Sequence, residues 1–251
     1  SLTYLNLAKT KLTNFLMDSI VSFKYFSNLN ELILNDNLIE TIRFEYFASN
    51  TNLVKLDLSH NNISSIEDYS FYYNKKLTTL ILSYNRLKTF DESVYGDRWM
   101  DKSLVRLYLD NNYLNRYEFL LNVESESILS LENNDLIEMP DSILKFLPYC
   151  FNFNLENNKF SIIRYNYFLI LKVVVILNFN NNNLSKIDDY ALSNIAVLRS
   201  LILSMNQLNS LNENTFSSLF RLRYLNLSFN YLEILNEKHF RDLIQFFYEF
   251  E

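Results

Sequence analysis

Glycine and proline, which punctuate most folds, are almost missing: the 251-residue chain has one glycine, Gly96, and two prolines, Pro140 and Pro148. Average usage is roughly 7% and 5%. A glycine-rich phosphate loop is therefore excluded, and turns must be made from Asn, Asp and Ser, which tolerate the left-handed backbone region better than other non-glycine residues. Histidine is as scarce. His60 and His239 lie far apart and, on the periodicity set out below, on different faces, so they share neither a metal nor a nucleophile. The single thiol, Cys150, takes an inward position of a repeat and reads as a small core residue. The longest apolar run, 168–177, is broken by Lys172 and falls short of the roughly 20 residues of a membrane span. Positive charge is not in excess either: the formal net charge is −6, scattered along the chain with no basic stripe, so no nucleic-acid partner is expected.

What the chain has instead is one phrase, Leu-x-x-Leu-x-Leu-x-x-Asn-x-Leu, which returns ten times. The clearest copy has Leu53, Leu56, Leu58, Asn61 and Ile63 in those places, and residues 77–87, 198–208 and 222–232 repeat it. Aligned on the ninth position, the copies fall on Thr10, Asn37, Asn61, Asn85, Asn112, Asn134, Asn158, Asn182, Asn206 and Asn230, at spacings of 27, 24, 24, 27, 22, 24, 24, 24 and 24 residues. A unit this short cannot bury its own apolar face, so neighbours must stack into a solenoid with one continuous core. Alternation such as Leu56-Asp57-Leu58 has the period of a strand, with the leucines inward and Asp57 on the opposite face. Each repeat is thus expected to give one short parallel strand. The Asn closes it, its amide donating and accepting where backbone groups lose water, and the column becomes a buried ladder. Ten positions after most ninth places comes a large apolar residue, namely Phe47, Phe71, Tyr95, Leu144, Phe168, Leu192, Phe216 and Phe240, which fills the core from the other side.

Two places break the period. Three extra residues fall within 91–103, which holds Gly96 and the only tryptophan, Trp99, and a protruding loop is expected there. The sixth repeat is two residues short and carries Pro140. After Leu243 the pattern fails, because Glu249 falls where an inward Leu is due.

The phrase and its spacing resemble the leucine-rich repeat family over nearly the whole chain. The 24-residue length with a Phe in its second half is similar to the typical class of secreted proteins and receptor ectodomains. This resemblance implies an α/β solenoid: a leucine-rich-repeat horseshoe with a concave parallel β-sheet, an irregular or short-helical convex side, about ten repeats and a single domain over 1–251. Such proteins usually close their ends with disulfide-bonded caps, which these residues lack. The chain starts directly on a repeat phrase at Leu2, and it reads as a piece of a longer protein whose caps lie outside it; the other option is an intracellular protein. The implied function is a non-enzymatic recognition module, binding a protein ligand in an extracellular innate-immune or adhesion protein. The alternative is a cytosolic scaffold or a regulatory segment of a larger enzyme or signalling protein. No cofactor or metal is expected.

On this reading the second, third, fifth, seventh and eighth positions line the concave sheet. Two apolar clusters emerge from the columns. Ile81, Tyr84, Arg106 and Tyr108 become neighbours in the fourth and fifth repeats, and Ile202, Met205, Tyr224 and Phe229 in the ninth and tenth. Aromatic residues and Arg are the types enriched at binding hot spots. Between the clusters Asn111, Asn133, Asn157 and Asn181 form a polar stripe. Sequons at Asn62, Asn183 and Asn226 offer glycosylation sites. A glycan on Asn226 would cover the second cluster, so Asn62 and Asn183 are the compatible ones.

Overall fold

The computed structural model describes residues 2–19, 22–91, 93–96, 104–118, 127–139, 150–169, 171 and 173–244. They form two compact units, Ser1–Glu124 and Ser125–Glu251. The first runs β1 (Tyr4–Asn6), α1 (Asn14–Ser19), β2 (Glu31–Ile33), β3 (Thr41–Ile42), β4 (Lys55–Asp57), β5 (Ser65–Ile66), β6 (Thr79–Ile81), β7 (Thr89–Asp91), β8 (Arg106–Tyr108) and β9 (Arg116–Glu118). The second runs β10 (Ser127–Ser130), β11 (Cys150–Asn154), β12 (Ile162–Ile163), β13 (Ile176–Asn178), β14 (Lys186–Ile187), β15 (Ser200–Ile202), β16 (Tyr224–Asn226) and α2 (Arg241–Ile244).

Each unit is a parallel-strand solenoid with little helix, as the repeat predicts. In the first, β1, β2, β4, β6 and β8 lie side by side, and β3–β5 and β7–β9 pair on the return path. In the second the sheet is β10, β11, β13, β15 and β16, with β12–β14 on the return path. The phrase sets the register: Leu5, Leu32, Leu56, Leu80 and Leu107 are aligned across one sheet, and Leu129, Phe153, Leu177, Leu201 and Leu225 across the other. The pairing slips by one residue between Ser127 and Leu129, in the short sixth repeat. Inward leucines such as Leu56, Leu80, Leu177 and Leu201 are wholly buried.

The ninth-position ladder has the expected chemistry. Asn85 donates from Nδ2 to the carbonyls of Leu58 and Leu82, both at 3.0 Å, and its Oδ1 accepts from the Ile63 amide at 2.9 Å. Each such Asn therefore ties its own turn to the preceding repeat. On the opposite side Phe23, Phe47 and Phe71 stack with centroids 6.2 Å apart and planes within 13° of parallel. Phe23 belongs to this spine although the spacing rule passed over it, because the first repeat is three residues longer. Asn50 and Asn74 add a second buried column, each donating to two carbonyls of the preceding repeat.

Of the expected loop at 91–103, residues 93–96 form a helical turn with Val94 and Tyr95 buried. That part packs into the core and does not protrude. Trp99, Pro140, Pro148, Leu144 and Glu249 lie outside the described residues, as does the side chain of Cys150.

Candidate recognition face

The eighth position of the phrase is where the backbone turns out of the strand, and it is left-handed in every copy. φ is between 51° and 59° at Lys9, Asp36, His60, Tyr84, Asn111, Asn133, Asn157, Asn181, Met205 and Phe229. The turn lets the eighth amide reach the seventh carbonyl of the next repeat: His60 donates to Ser83 and Tyr84 to Asp110, both at 3.0 Å. It also rolls the seventh side chain half-inward, so Ser59, Ser83, Asp110 and Ser204 are buried and not lining the open face. Ser83 donates to the Asp110 carboxylate at 2.6 Å.

The first cluster assembles in the first unit. Register places Ile81 directly opposite Tyr108 and Thr79 opposite Arg106. Ile81 and Tyr108 are half-buried, Arg106 is exposed, and Tyr84 is 50% exposed. His60 joins them: its ring stacks on Tyr84 with centroids 4.2 Å apart and planes 11° from parallel. Both residues occupy the eighth column of adjacent repeats, which is the signal that would have found the pair. His60 thus belongs to the candidate face through stacking.

The second cluster assembles in the second unit. Ser200 is paired with Tyr224 and Ile202 with Asn226. Met205, Tyr224 and Phe229 are 48%, 51% and 75% exposed, while Ile202 is half-buried. Exposed Ile128, Phe151 and Ile176 on β10, β11 and β13 extend the apolar surface beyond the predicted residues. The amide stripe is more than a column of neighbours. Asn157 donates to Asn133 and Asn181 donates to Asn157, each at 2.6 Å, whereas Asn111 in the first unit donates to its own neighbour Asp110 at 2.8 Å.

The remaining candidates have structural settings. Buried His239 completes a capping box with Asn236, and its Nε2 lies 3.0 Å from the Leu211 carbonyl. The Asn183 side chain is exposed and Asn62 half-buried, while Asn226 Oδ1 is occupied by the Ser228 amide and hydroxyl at 3.0 and 2.8 Å. Among the described residues no group of three or more His, Cys, Asp or Glu could hold a metal ion, and no helix is long and apolar enough to cross a membrane.

Stacked parallel strands and an asparagine ladder define a tandem-repeat protein. The chain belongs to the Leucine rich repeat family, whose profile matches residues 27–87, 51–114, 172–232 and 196–247, more than half of its length. No curated protein matches it by sequence. Among solved structures it is similar to a leucine-rich-repeat protein of Leptospira interrogans, at 24% identity and a TM-score of 0.77 over 96% of this chain and 58% of that one. It is also similar to the leucine-rich repeat domain of APL1B, at 25% identity and a TM-score of 0.68 over 85% of this chain and 58% of that one. The leucine-rich repeat domain of LRIM1 matches at 18% identity and a TM-score of 0.73, over 94% of this chain and 79% of that one. The chain thus spans under two thirds of the first two proteins.

Proposed function

We propose that the chain is a non-enzymatic recognition module, acting outside the cell, that holds a protein partner against the concave, outward face of its sheet. One observation carries the reading. The left-handed eighth position suits Asn and Asp, yet in the two clusters it is filled by Tyr84, Met205 and Phe229. The turn itself is common to all ten copies, so what sets these three apart is a large apolar side chain at a place that Asn or Asp fills with less strain. Each is about half exposed or more, Tyr84 even with its ring stacked on His60, and a partner that covers them would bury that apolar surface. The LRIM1/APL1C complex, which the chain resembles at 25% identity, is itself an assembly of two proteins, and at the level of fold the Toll–Spatzle complex is another from innate immunity. Extracellular placement predicts N-linked glycans on Asn62 and Asn183.

The test is substitution within the two clusters, measured against a partner isolated by pull-down. Tyr84→Ala and Tyr108→Ala should weaken binding by on the order of 2 kcal/mol, as should Tyr224→Ala and Phe229→Ala. Tyr84→Asn and Met205→Asn should weaken binding while raising the melting temperature, because Asn accepts the left-handed backbone more readily. Unchanged affinity in all of these variants would refute the reading. Secretion from a eukaryotic host without any glycosidase-sensitive mass shift would refute the glycan assignment.

A further inference from the structure

The outward face of the second unit differs in chemistry from that of the first. Across β10, β11 and β13 no second, third, fifth, seventh or eighth position carries Lys or Arg, and the only carboxylates there are Glu132 and Glu156, while exposed Arg199 and Arg223 stand at the second positions of the next two repeats. The same positions of the first unit carry Lys9, Lys55 and Arg106 beside Glu31, Asp36, Asp57 and Asp110. Amides take the place of charge in those three strands, and they are tied to one another. Besides the Asn133–Asn157–Asn181 ladder, both oxygens of Glu156 accept from amides, Oε2 from Asn178 at 3.0 Å and Oε1 from Asn180 at 2.8 Å. Ser204 donates to Asn180 Oδ1 at 2.7 Å.

An Asn side chain has two N–H groups and two acceptor lone pairs. In the ladder Asn157 uses one N–H and one lone pair on its neighbours, so one of each is left, aimed by the bonds already made. Donor and acceptor then recur side by side from strand to strand at about 4.8 Å. Two repeats beyond Asn181 the exposed ring of Phe229 stands in the same eighth column, past Met205, with the exposed ring of Tyr224 on β16.

We infer that this strip is a binding site for a neutral oligosaccharide. Sugar hydroxyls donate and accept as the free amide groups do, and they need no cation. The C–H face of a pyranose ring packs on an exposed aromatic ring such as Tyr224. Sulfated or sialylated glycans and nucleic acids would bring negative charge to an amide ladder whose three strands carry Glu132 and Glu156 and no Lys or Arg. An extended peptide takes its specificity from pockets for alternate side chains, not from a run of oriented amides. The inference goes beyond the protein-partner reading; the two share Tyr224 and Phe229, so Tyr84 and Tyr108 in the first unit test that reading separately.

The experiment screens the full chain against soluble oligomers of glucose, mannose and N-acetylglucosamine, with sulfated and sialylated glycans and an extended-peptide library alongside, and then titrates the tightest binder. Asn157→Gly and Asn181→Gly keep the left-handed backbone and remove the amide. Each should weaken binding of a neutral oligomer on the order of tenfold, the loss of one or two hydrogen bonds. Tyr165→Ala, on the side opposite the sheet, should leave it unchanged, and so should raised salt. Absence of binding to every neutral oligomer would overturn the inference. So would binding confined to the charged glycans or to peptides, or equal affinity in the two glycine variants while their melting curves stay cooperative.

Discussion

Replacing Asn206 by Ala isolates the ladder. The side chain is 4% exposed, and it makes four contacts. Nδ2 donates to the carbonyls of Phe179 at 2.8 Å, Leu203 at 3.1 Å and Ser204 at 3.1 Å, and Oδ1 accepts from the Leu184 amide at 2.9 Å. Phe179, Leu184 and Leu203 are wholly buried, so water cannot take over. Each buried group left without a partner costs about 1–3 kcal/mol. With the Leu184 N–H as the main loss and the carbonyls adding to it, the sum is about 3 kcal/mol. In a chain of this size 1 kcal/mol moves the melting temperature by about 2–4 °C, so a fall of about 6–12 °C is expected by calorimetry or circular dichroism. Asn183→Ala, one residue past the ladder's Asn182 and exposed, is the comparator and should stay within about 0.5 kcal/mol. A melting temperature for Asn206→Ala within about 1 °C of the parent, or equal to that of Asn183→Ala, would refute the argument that the amide holds adjacent repeats together.

Phe47 lies between Phe23 and Phe71 in the stacked spine and is wholly buried, so Phe47→Ala should lower unfolding free energy by about 3–5 kcal/mol, read as a shift of the urea midpoint. Gly96 has φ +66° and an added Cβ would strike the Tyr69 ring; Gly96→Ala should cost about 1–3 kcal/mol, and an unchanged midpoint would count against the close packing of Tyr69 there. Burial pushes the Tyr95 hydroxyl far above its ordinary value of 10.0, so folding favours the neutral phenol and that stability is fully present below pH 10. It is lost as the pH rises further and the unfolded chain ionises first. Tyr95→Phe should therefore flatten the fall in stability on the alkaline side, and an identical alkaline slope in the two proteins would contradict it.

The strands, the ladder and most of the aromatic spine were legible in the sequence, because each rests on a local period and a repeat that cannot bury itself. Constant spacing even predicted cross-strand neighbours: a register of 27 residues puts Ile81 against Tyr108, and a register of 24 puts Ser200 against Tyr224. Phe23 was missed since its longer repeat moves it off the ten-residue rule. Asn50 and Asn74 were missed because Asn occurs throughout the chain, and only burial separates these two from surface copies. What tertiary structure alone decided lies at the seventh and eighth positions. Stacking of one repeat on the next demands a left-handed residue at the eighth place whatever its type, and that turn rolls Ser83 and Ser204 inward. It also brings the rings of His60 and Tyr84 into a parallel stack and joins Asn133, Asn157 and Asn181 by side-chain bonds. Those contacts run between repeats, across a distance that no period within one repeat encodes.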